Sequence, residues 1–263
     1  MIVPARANRL ANRQNLGRII QTVLRPRRVD RLRKLRSQDT DSDYSFKPFD
    51  LTRSIFVHIP KAAGVSVCHA LYGGLAGGHT TIRDYQLAFS RAEFDGYFKF
   101  TFVRNPWSRL FSAYNFLKAG GMGSLDLEWS GRYLCRYSNF EHFVMEGLGR
   151  PEVSNYTHFI PQTAFLRSFG PDNYPINFVG FFERVERDFD LICSKLNLNA
   201  TFSHQNKTHG KAVDYRLAYT DQMKNKVQNV YALDIKLLGY DFEGAGLPRQ
   251  VETRERRGLL VAS

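Results

Sequence analysis

The sequence predicts a single α/β domain with a central, mostly parallel β-sheet flanked by helices. Three short apolar runs rich in β-branched and aromatic residues indicate buried strands, at Ile55–Ile59, Tyr97–Val103 and Asn177–Phe182. A loop and a helical pattern follow each run, and such alternation favours a parallel sheet. The 263 residues are enough for one domain of this kind with a sizeable core, and the 14% aromatic content excludes a disordered chain.

Positive charge is concentrated near the N-terminus. The net charge of the chain is +12, of which residues 1–40 contribute +9 through eleven Lys and Arg against two Asp. The chain therefore divides into a basic extension and linker (1–50), a nearly balanced domain (51–243) and a charged C-terminal tail (244–263). A nucleic-acid-binding protein is disfavoured, because the excess charge lies outside the domain.

The basic extension permits two interpretations. A mobile, solvated segment is favoured. The alternative is a short amphipathic helix that touches an anionic membrane peripherally, because apolar residues recur at helical spacing: Leu16, Ile19, Ile20, Val23 and Leu24. No apolar run reaches the roughly 18 residues that span a membrane, and arginines interrupt any signal-peptide core. With three widely spaced cysteines and no disulfide or metal pattern, the sequence predicts a cytoplasmic protein.

A tight loop of small residues follows the first predicted strand. It consists of Pro60, Lys61, Ala62, Ala63, Gly64, Val65 and Ser66. A helix predicted over 65–72 comes next, and a helix N-terminus attracts anions through its unpaired N–H groups and partial positive charge. Lys61 adds a full charge and Ser66 a hydroxyl. The strand, loop and helix follow the logic of a phosphate-binding P-loop, although the order Lys-x-x-Gly-x-Ser differs from a Walker motif. The alternative is a buried turn with an incidental lysine.

A second candidate anion site begins at the tip of the second strand, in the segment RNPWSRLFSAY. Arg104 leaves the strand, Pro106 suits the first turn of a helix, and Ser112 lies two turns further on. Arginine suits a phosphate because its planar fork binds two oxygens at once. The spacing allows Arg104 and Ser112 to reach one anion at the carboxyl edge of the sheet, where open α/β folds bind ligands.

These two segments resemble the nucleotide motifs of sulfotransferases that use 3′-phosphoadenosine 5′-phosphosulfate (PAPS). HIPKAAGVS is similar to their 5′-phosphosulfate loop, and RNPWSRLFSAY to their 3′-phosphate motif. The order of the motifs resembles the family-2 type, which includes carbohydrate sulfotransferases of the heparan 2-O and HNK-1 kind and bacterial relatives. The resemblance covers roughly residues 53–241. It implies the PAPS-sulfotransferase architecture, PAPS as donor without a metal, and a hydroxyl acceptor on a glycan or glycolipid.

The resemblance also implies roles for individual residues. Lys61 would assist departure of the leaving phosphate, and residues 60–66 would bind the 5′ side of the donor. Arg104 and Ser112 would bind the 3′-phosphate, with Lys207 from a later polar loop. His79 lies in GHTTIRDY, which resembles the stretch holding the catalytic histidine of heparan 2-O-sulfotransferases, so it is the candidate base.

His158 and Gln162 belong to HFIPQTAFL, which is similar to a Pro-Gln element of the family. Both residues are therefore candidates for the acceptor side. His158 is also the main rival of His79 as the base, whereas His58 is assigned to the strand.

Two further functions are disfavoured, besides nucleic-acid binding. A P-loop-like kinase or hydrolase requires a Walker loop and an acidic residue at a strand tip for magnesium, and neither is evident. A sulfotransferase fold without activity is disfavoured because both nucleotide motifs are present. Elsewhere, the sequence predicts helix caps at Thr80 or Thr81, Ser90 and Asn139, and one long helix from Asp221 to Leu238.

Overall fold

The protein is described by a computed structural model over residues 16–39, 44–169, 173–203 and 213–257. The strands of its sheet are β1 (Ser54–Val57), β2 (Phe98–Val103) and β3 (Phe178–Phe181), all parallel and in the order β1-β2-β3. The three predicted strands are thus confirmed, and their side chains are almost entirely buried. Near-continuous apolar runs are typical of strands covered on both faces.

Helices connect and flank the strands. The α-helical segments are residues 16–24 (α1), Pro26–Ser37 (α2), Lys47–Thr52 (α3), Gly64–Tyr72 (α4), Ile82–Ala88 (α5), Arg91–Gly96 (α6), Pro106–Lys118 (α7), Ser124–Arg132 (α8), Phe140–His142 (α9), Pro151–Ser154 (α10), Gln162–Leu166 (α11), Val185–Leu196 (α12), Asp221–Val230 (α13), Ala232–Leu238 (α14) and Leu247–Arg257 (α15). Short 3₁₀ turns lie at Leu134–Arg136, Phe182–Arg184 and Tyr215–Ala218, and a π turn at Phe143–Gly147 continues α9.

Side-chain caps fix where several helices begin. The Thr81 hydroxyl accepts a hydrogen bond from the backbone N–H of Asp84, so Thr81 is the cap of α5. Ser90 forms a reciprocal capping box with Glu93 at the start of α6, and Asn139 caps α9. These caps confirm the sequence predictions, because each satisfies an N–H group that the first helical turn leaves open.

Two clusters of buried apolar side chains form the interior. The larger surrounds the sheet, and the smaller lies beneath α7, α8 and α13. The segment Arg104–Asn105 joins β2, in the larger cluster, to α7, in the smaller one. Asn105 accepts hydrogen bonds from the backbone N–H groups of Trp107 and Ser108, which starts α7 directly at the strand tip.

The N-terminal region is packed against the domain, not solvated as expected. Val29 and Leu32 of α2 are buried in the larger cluster. Arg36 bonds both Asp50 and Glu93 at 2.8 and 2.9 Å. The basic composition of this segment hid its packing, because only one narrow face of α2 is apolar. Residues 1–15 lie outside the described part.

The predicted helix from Asp221 to Leu238 is wrong in one respect, because it breaks at Tyr231. The backbone leaves the helical region there (φ −106°, ψ 26°), and the buried Tyr231 hydroxyl donates to the carbonyl of Phe159 at 2.8 Å. This long-range hydrogen bond accompanies the break between α13 and α14. The helical periodicity of the sequence did not indicate that break.

The segment after Gly244 is not simply a charged tail. Most of it forms α15, whose Arg254 is buried and pairs with the fully buried Asp188 at 2.9 Å. Arg254 also donates to the carbonyl of Val179 in β3. The prediction of a charged tail is wrong for this segment, because the residue that anchors α15, Arg254, is itself charged. Within the described ranges, no helix is both long and apolar enough to cross a bilayer.

Candidate functional site

The loop between β1 and α4 bends sharply at residues 60–63. Lys61 and Ala63 have φ angles of 66° and 67°, in the left-handed region that non-glycine residues rarely occupy. Alternation of left- and right-handed backbone forms a concavity of N–H groups that suits anions. Gly64 starts α4 under the His58 ring, where a Cβ atom would lie 1.8 Å from Cδ2 of that ring. Only glycine fits this position without displacing His58.

Lys61 extends from this loop over an aromatic ring. Its Nζ atom lies 3.7 Å from the centre of the Phe116 ring. Burial, followed by the positive charge of Arg104, lowers the pKa of Lys61 to about 8. Its ammonium group is therefore protonated at neutral pH. A bound anion would stabilise the two neighbouring positive charges of Lys61 and Arg104.

Arg104 connects the loop to the second motif. Its Nη1 donates to the backbone carbonyl of Lys61 at 3.1 Å, and its Nε donates to the Ser108 hydroxyl at 2.9 Å. The guanidinium also stacks 4.0 Å from the Phe182 ring centre. Burial lowers its pKa to about 10. Ser112 lies one turn beyond Ser108 on the same face of α7 and is half-buried.

Two buried polar side chains hold these cations in place. The fully buried Arg109 donates to the carbonyls of Pro60, His158 and Ile160, and so ties the loop to the His158 segment. The Gln162 side chain accepts from the backbone N–H of Arg104 at 2.9 Å and donates to its carbonyl at 2.8 Å.

Gln162 is completely buried. The expected contact between Gln162 and the sulfate acceptor has no support in this arrangement. Its side-chain amide is bonded to the backbone of Arg104 instead, at the end of β2. His158, the other acceptor candidate, does reach the loop region.

Three histidine rings meet beside the loop. The ring centres of His58 and His79 are 4.5 Å apart, and those of His79 and His158 are 5.8 Å apart. Nδ1 of His79 lies 3.2 Å from the carbonyl oxygen of His58. A proton on Nδ1 satisfies that carbonyl and leaves Nε2 as the hydrogen-bond acceptor.

His79 keeps a solvent-accessible edge although protein groups surround most of its ring. This burial, together with the charge on His158, lowers the pKa of His79 to about 4. The imidazole is therefore neutral and able to accept a proton near pH 7.

His158 is held by Asp126, a residue of α8. The distance between Nε2 of His158 and Oδ1 of Asp126 is 3.2 Å, and the Tyr156 hydroxyl bonds the same oxygen. Burial raises the pKa of Asp126, but the hydrogen bonds from His158 and Tyr156 outweigh it and hold the pKa below its usual range. Burial lowers the pKa of His158 despite this partner. Asp126 thus fixes the ring of His158 with Nδ1 as the acceptor.

The structure brings together Lys61, Arg104, His79 and His158. Sequence reasoning missed Asp126, Phe116 and the supporting role of Arg109, and it left His58 in the strand. Arg109 occurs inside the second motif, so it could have been singled out; Asp126 and Phe116 carried no local signal. Lys207 lies outside the described residues. Among the described side chains, no cluster of three His, Cys, Asp or Glu groups is arranged to hold a metal ion.

Comparison with known families agrees with this geometry. Residues 76–241 match the family model of the family-2 sulfotransferases. The match starts after the loop at 60–66 and includes His79, Arg104 and His158. No curated protein and no solved structure matches the chain significantly. With more than half of its length matched, the chain belongs to the family-2 sulfotransferases and is a sulfuryl-transferring enzyme.

Proposed function

We propose that this enzyme takes the sulfuryl group from PAPS and transfers it to a hydroxyl group of a carbohydrate. The observation that carries the proposal is the contact between Arg104 and the Lys61 carbonyl, which joins the two nucleotide motifs into one cationic site. The site lies at the carboxyl ends of parallel β1 and β2, as expected for a ligand site in an open α/β fold.

The donor side is assigned to the loop and the start of α7. Lys61 and the N–H groups of residues 62–66 would hold the 5′ end, and Arg104 with Ser112 would hold the 3′-phosphate. A guanidinium has five N–H donors, and the bonds to Lys61 and Ser108 use two of them. PAPS supplies a sulfuryl group attached to a phosphate leaving group, and Lys61 would stabilise the negative charge that develops on that phosphate.

The proton side is assigned to His79. When the acceptor oxygen bonds to sulfur and the bond from sulfur to the phosphate oxygen breaks, the acceptor hydroxyl must lose its proton. Nε2 of His79 is the group we assign to take it, because its ring is neutral and solvent-accessible beside the loop. His158 is the alternative base, with Asp126 bonded to its Nε2, but its other nitrogen, Nδ1, is buried and less accessible to an acceptor than His79.

A carbohydrate acceptor is supported by the aromatic rings around the histidines. Phe116 and Tyr156 are half-buried and contact the His158 ring, with ring centres 5.1 and 5.6 Å away. Rings of this kind can pack against the apolar faces of sugars, while the histidines contact hydroxyls.

Two measurements test the proposal on the full chain. The desulfated donor product, adenosine 3′,5′-bisphosphate, should raise the melting temperature more than ADP does, because only it carries the 3′-phosphate. Incubation with PAPS and a panel of glycans, glycolipids and phenols, followed by mass spectrometry, should show sulfate on a glycan. Equal thermal shifts with both nucleotides would contradict PAPS as donor and favour the kinase alternative. Sulfation of phenols alone would contradict the carbohydrate.

A further inference from the structure

Helix α1 presents its apolar side chains to solvent. The exposed fractions lie between 43% and 71% for five of its residues: Leu16, Ile19, Ile20, Val23 and Leu24. At 100° per residue these positions fall on one face of the helix. A helix at a protein surface normally turns this face to the core, so α1 lies on the domain in the reverse orientation.

Two contacts from residues outside this apolar face fix that orientation. Nη2 of Arg18 donates to the carbonyl of Phe89, at the end of α5, at 2.7 Å. Gly17 lies so close to Phe169 that an added Cβ atom would be 3.2 Å from the Phe169 Cβ. The small and polar side of α1 therefore faces the domain, and its apolar stripe, the five residues Leu16, Ile19, Ile20, Val23 and Leu24, faces outward.

A dense positive charge follows the apolar stripe along the chain, in the residues of α2. Residues 16–37 contain eight Lys and Arg against one Asp. Arg28 and Arg36 pair with acidic groups of the domain, but other basic residues of this region are exposed: Arg25, Arg27, Arg31, Arg33 and Lys34. Arg18 of α1 and Arg33 of α2 also line a cavity of about 470 Å³. The surface thus combines apolar side chains with an excess of cations.

We propose that α1 and α2 seat this enzyme on the surface of an anionic lipid bilayer. The apolar stripe enters the boundary between headgroups and acyl chains, and the exposed arginines of this region contact lipid phosphates. Charge complementarity selects this partner. A second copy of the chain docked through the same face would bring two strongly basic surfaces together, which is unfavourable.

Vesicle sedimentation of the full chain tests the proposal. Wild-type protein should sediment with vesicles of phosphatidylcholine and phosphatidylserine, and much less with phosphatidylcholine alone. The double variant Ile19→Ser/Val23→Ser should bind the anionic vesicles about tenfold more weakly or worse. Arg27→Ala and Arg31→Ala should each weaken binding about fivefold and reduce its sensitivity to salt.

A matched double variant, Leu217→Ser/Leu233→Ser, removes two exposed apolar side chains elsewhere and should bind vesicles like wild type. Melting temperatures of all variants should stay near that of wild type, because the replaced side chains are exposed. Absence of vesicle binding by wild-type protein, or equal binding by the Ile19/Val23 variant, would overturn the proposal. So would a dimer in light scattering that this variant dissociates while vesicle binding persists.

Discussion

The Arg104 guanidinium donates a hydrogen bond to the backbone carbonyl of Lys61, 43 residues away in sequence. Each residue is the principal cation of one motif, and the bond places them at one edge of the sheet. Arg104 therefore has a structural role besides the proposed binding of the 3′-phosphate, because its hydrogen bond holds the bend of the loop that presents Lys61.

Arg104→Ala should remove the preference for a nucleotide that carries a 3′-phosphate. Adenosine 3′,5′-bisphosphate and ADP should then shift the melting temperature by similar amounts, because the arginine that reads the extra phosphate is absent. Arg187→Ala, at an exposed arginine of α12, is the matched control and should keep the preference. A retained preference in Arg104→Ala would assign the 3′-phosphate to other residues.

The dependence of kcat/KM on pH should show limbs near the pKa values of His79 and Lys61. His79, with a pKa of about 4, is neutral and can act as the base above that pH. Lys61, with a pKa of about 8, is charged and can stabilise the leaving group below that pH. Activity should therefore be high between about pH 4 and pH 8 and fall on both sides.

The alkaline limb provides the sharper test. In Lys61→Arg it should disappear from this range, because arginine keeps its charge, although the plateau itself should be lower because the two cations are not equivalent. An unchanged limb near pH 8 in Lys61→Arg would assign that titration to another group.

His79→Asn should lower turnover by about 10² or more while keeping the affinity for adenosine 3′,5′-bisphosphate within a few-fold. His158→Asn should have a smaller effect on turnover, because His158 is buried and bonded to Asp126. His69→Asn, at an exposed histidine of α4, serves as control. Single-turnover kinetics of the three variants decide the assignment. If only His158→Asn loses turnover, the base is His158; loss of nucleotide binding in His79→Asn would indicate a structural role.

Gly64→Ala should destabilise the protein by about 1–3 kcal/mol, because the new methyl group collides with the buried His58 ring. Gly131→Ala is the matched control. It lies in α8 with no atom within 4 Å of the added Cβ, and should stabilise the fold by about 0.5–1 kcal/mol. Urea unfolding measures both. Wild-type stability in Gly64→Ala would mean that His58 can move away without loss.

Arg254→Ala should cost about 1.5–3 kcal/mol of unfolding free energy, because the fully buried Asp188 loses one of its two arginine partners and keeps only Arg184, at 3.1 Å. Arg256→Ala breaks an exposed pair with Glu252 in the same helix and should change stability little. Thermal unfolding of the two variants compares them directly. Similar melting temperatures would show that α15 contributes little to the domain.

The sequence was sufficient for features that depend on local patterns. The strands were visible as short apolar runs, and the caps at Thr81, Ser90 and Asn139 as polar residues before helical periods. The positions of Lys61 and Arg104 followed from their places at strand ends. The two motifs carried their own chemistry, so the core of the candidate site could be predicted without coordinates.

Other features depend on contacts between distant residues and left no local pattern. Asp126 is an ordinary acidic residue in the first turn of α8 until the fold brings it to His158, 32 positions later. The break at Tyr231 accompanies its hydrogen bond to Phe159. Helix α15 is anchored by Arg254, which is buried although the sequence alone suggests an exposed charge. Gln162 resembled a ligand-binding residue because a buried amide and an exposed one look the same in sequence.

Arg109 gives the site a support that does not titrate. Its guanidinium bonds the carbonyls of Pro60, His158 and Ile160. Burial lowers the pKa of Arg109, but an arginine begins so far above neutrality that it stays protonated in proteins. The hydrogen bonds between the loop at 60–66 and the His158 segment therefore stay in place while Lys61 and His79, the proposed reacting groups, gain or lose protons. A change of pH can alter the charge of these two groups without breaking the framework that aligns them.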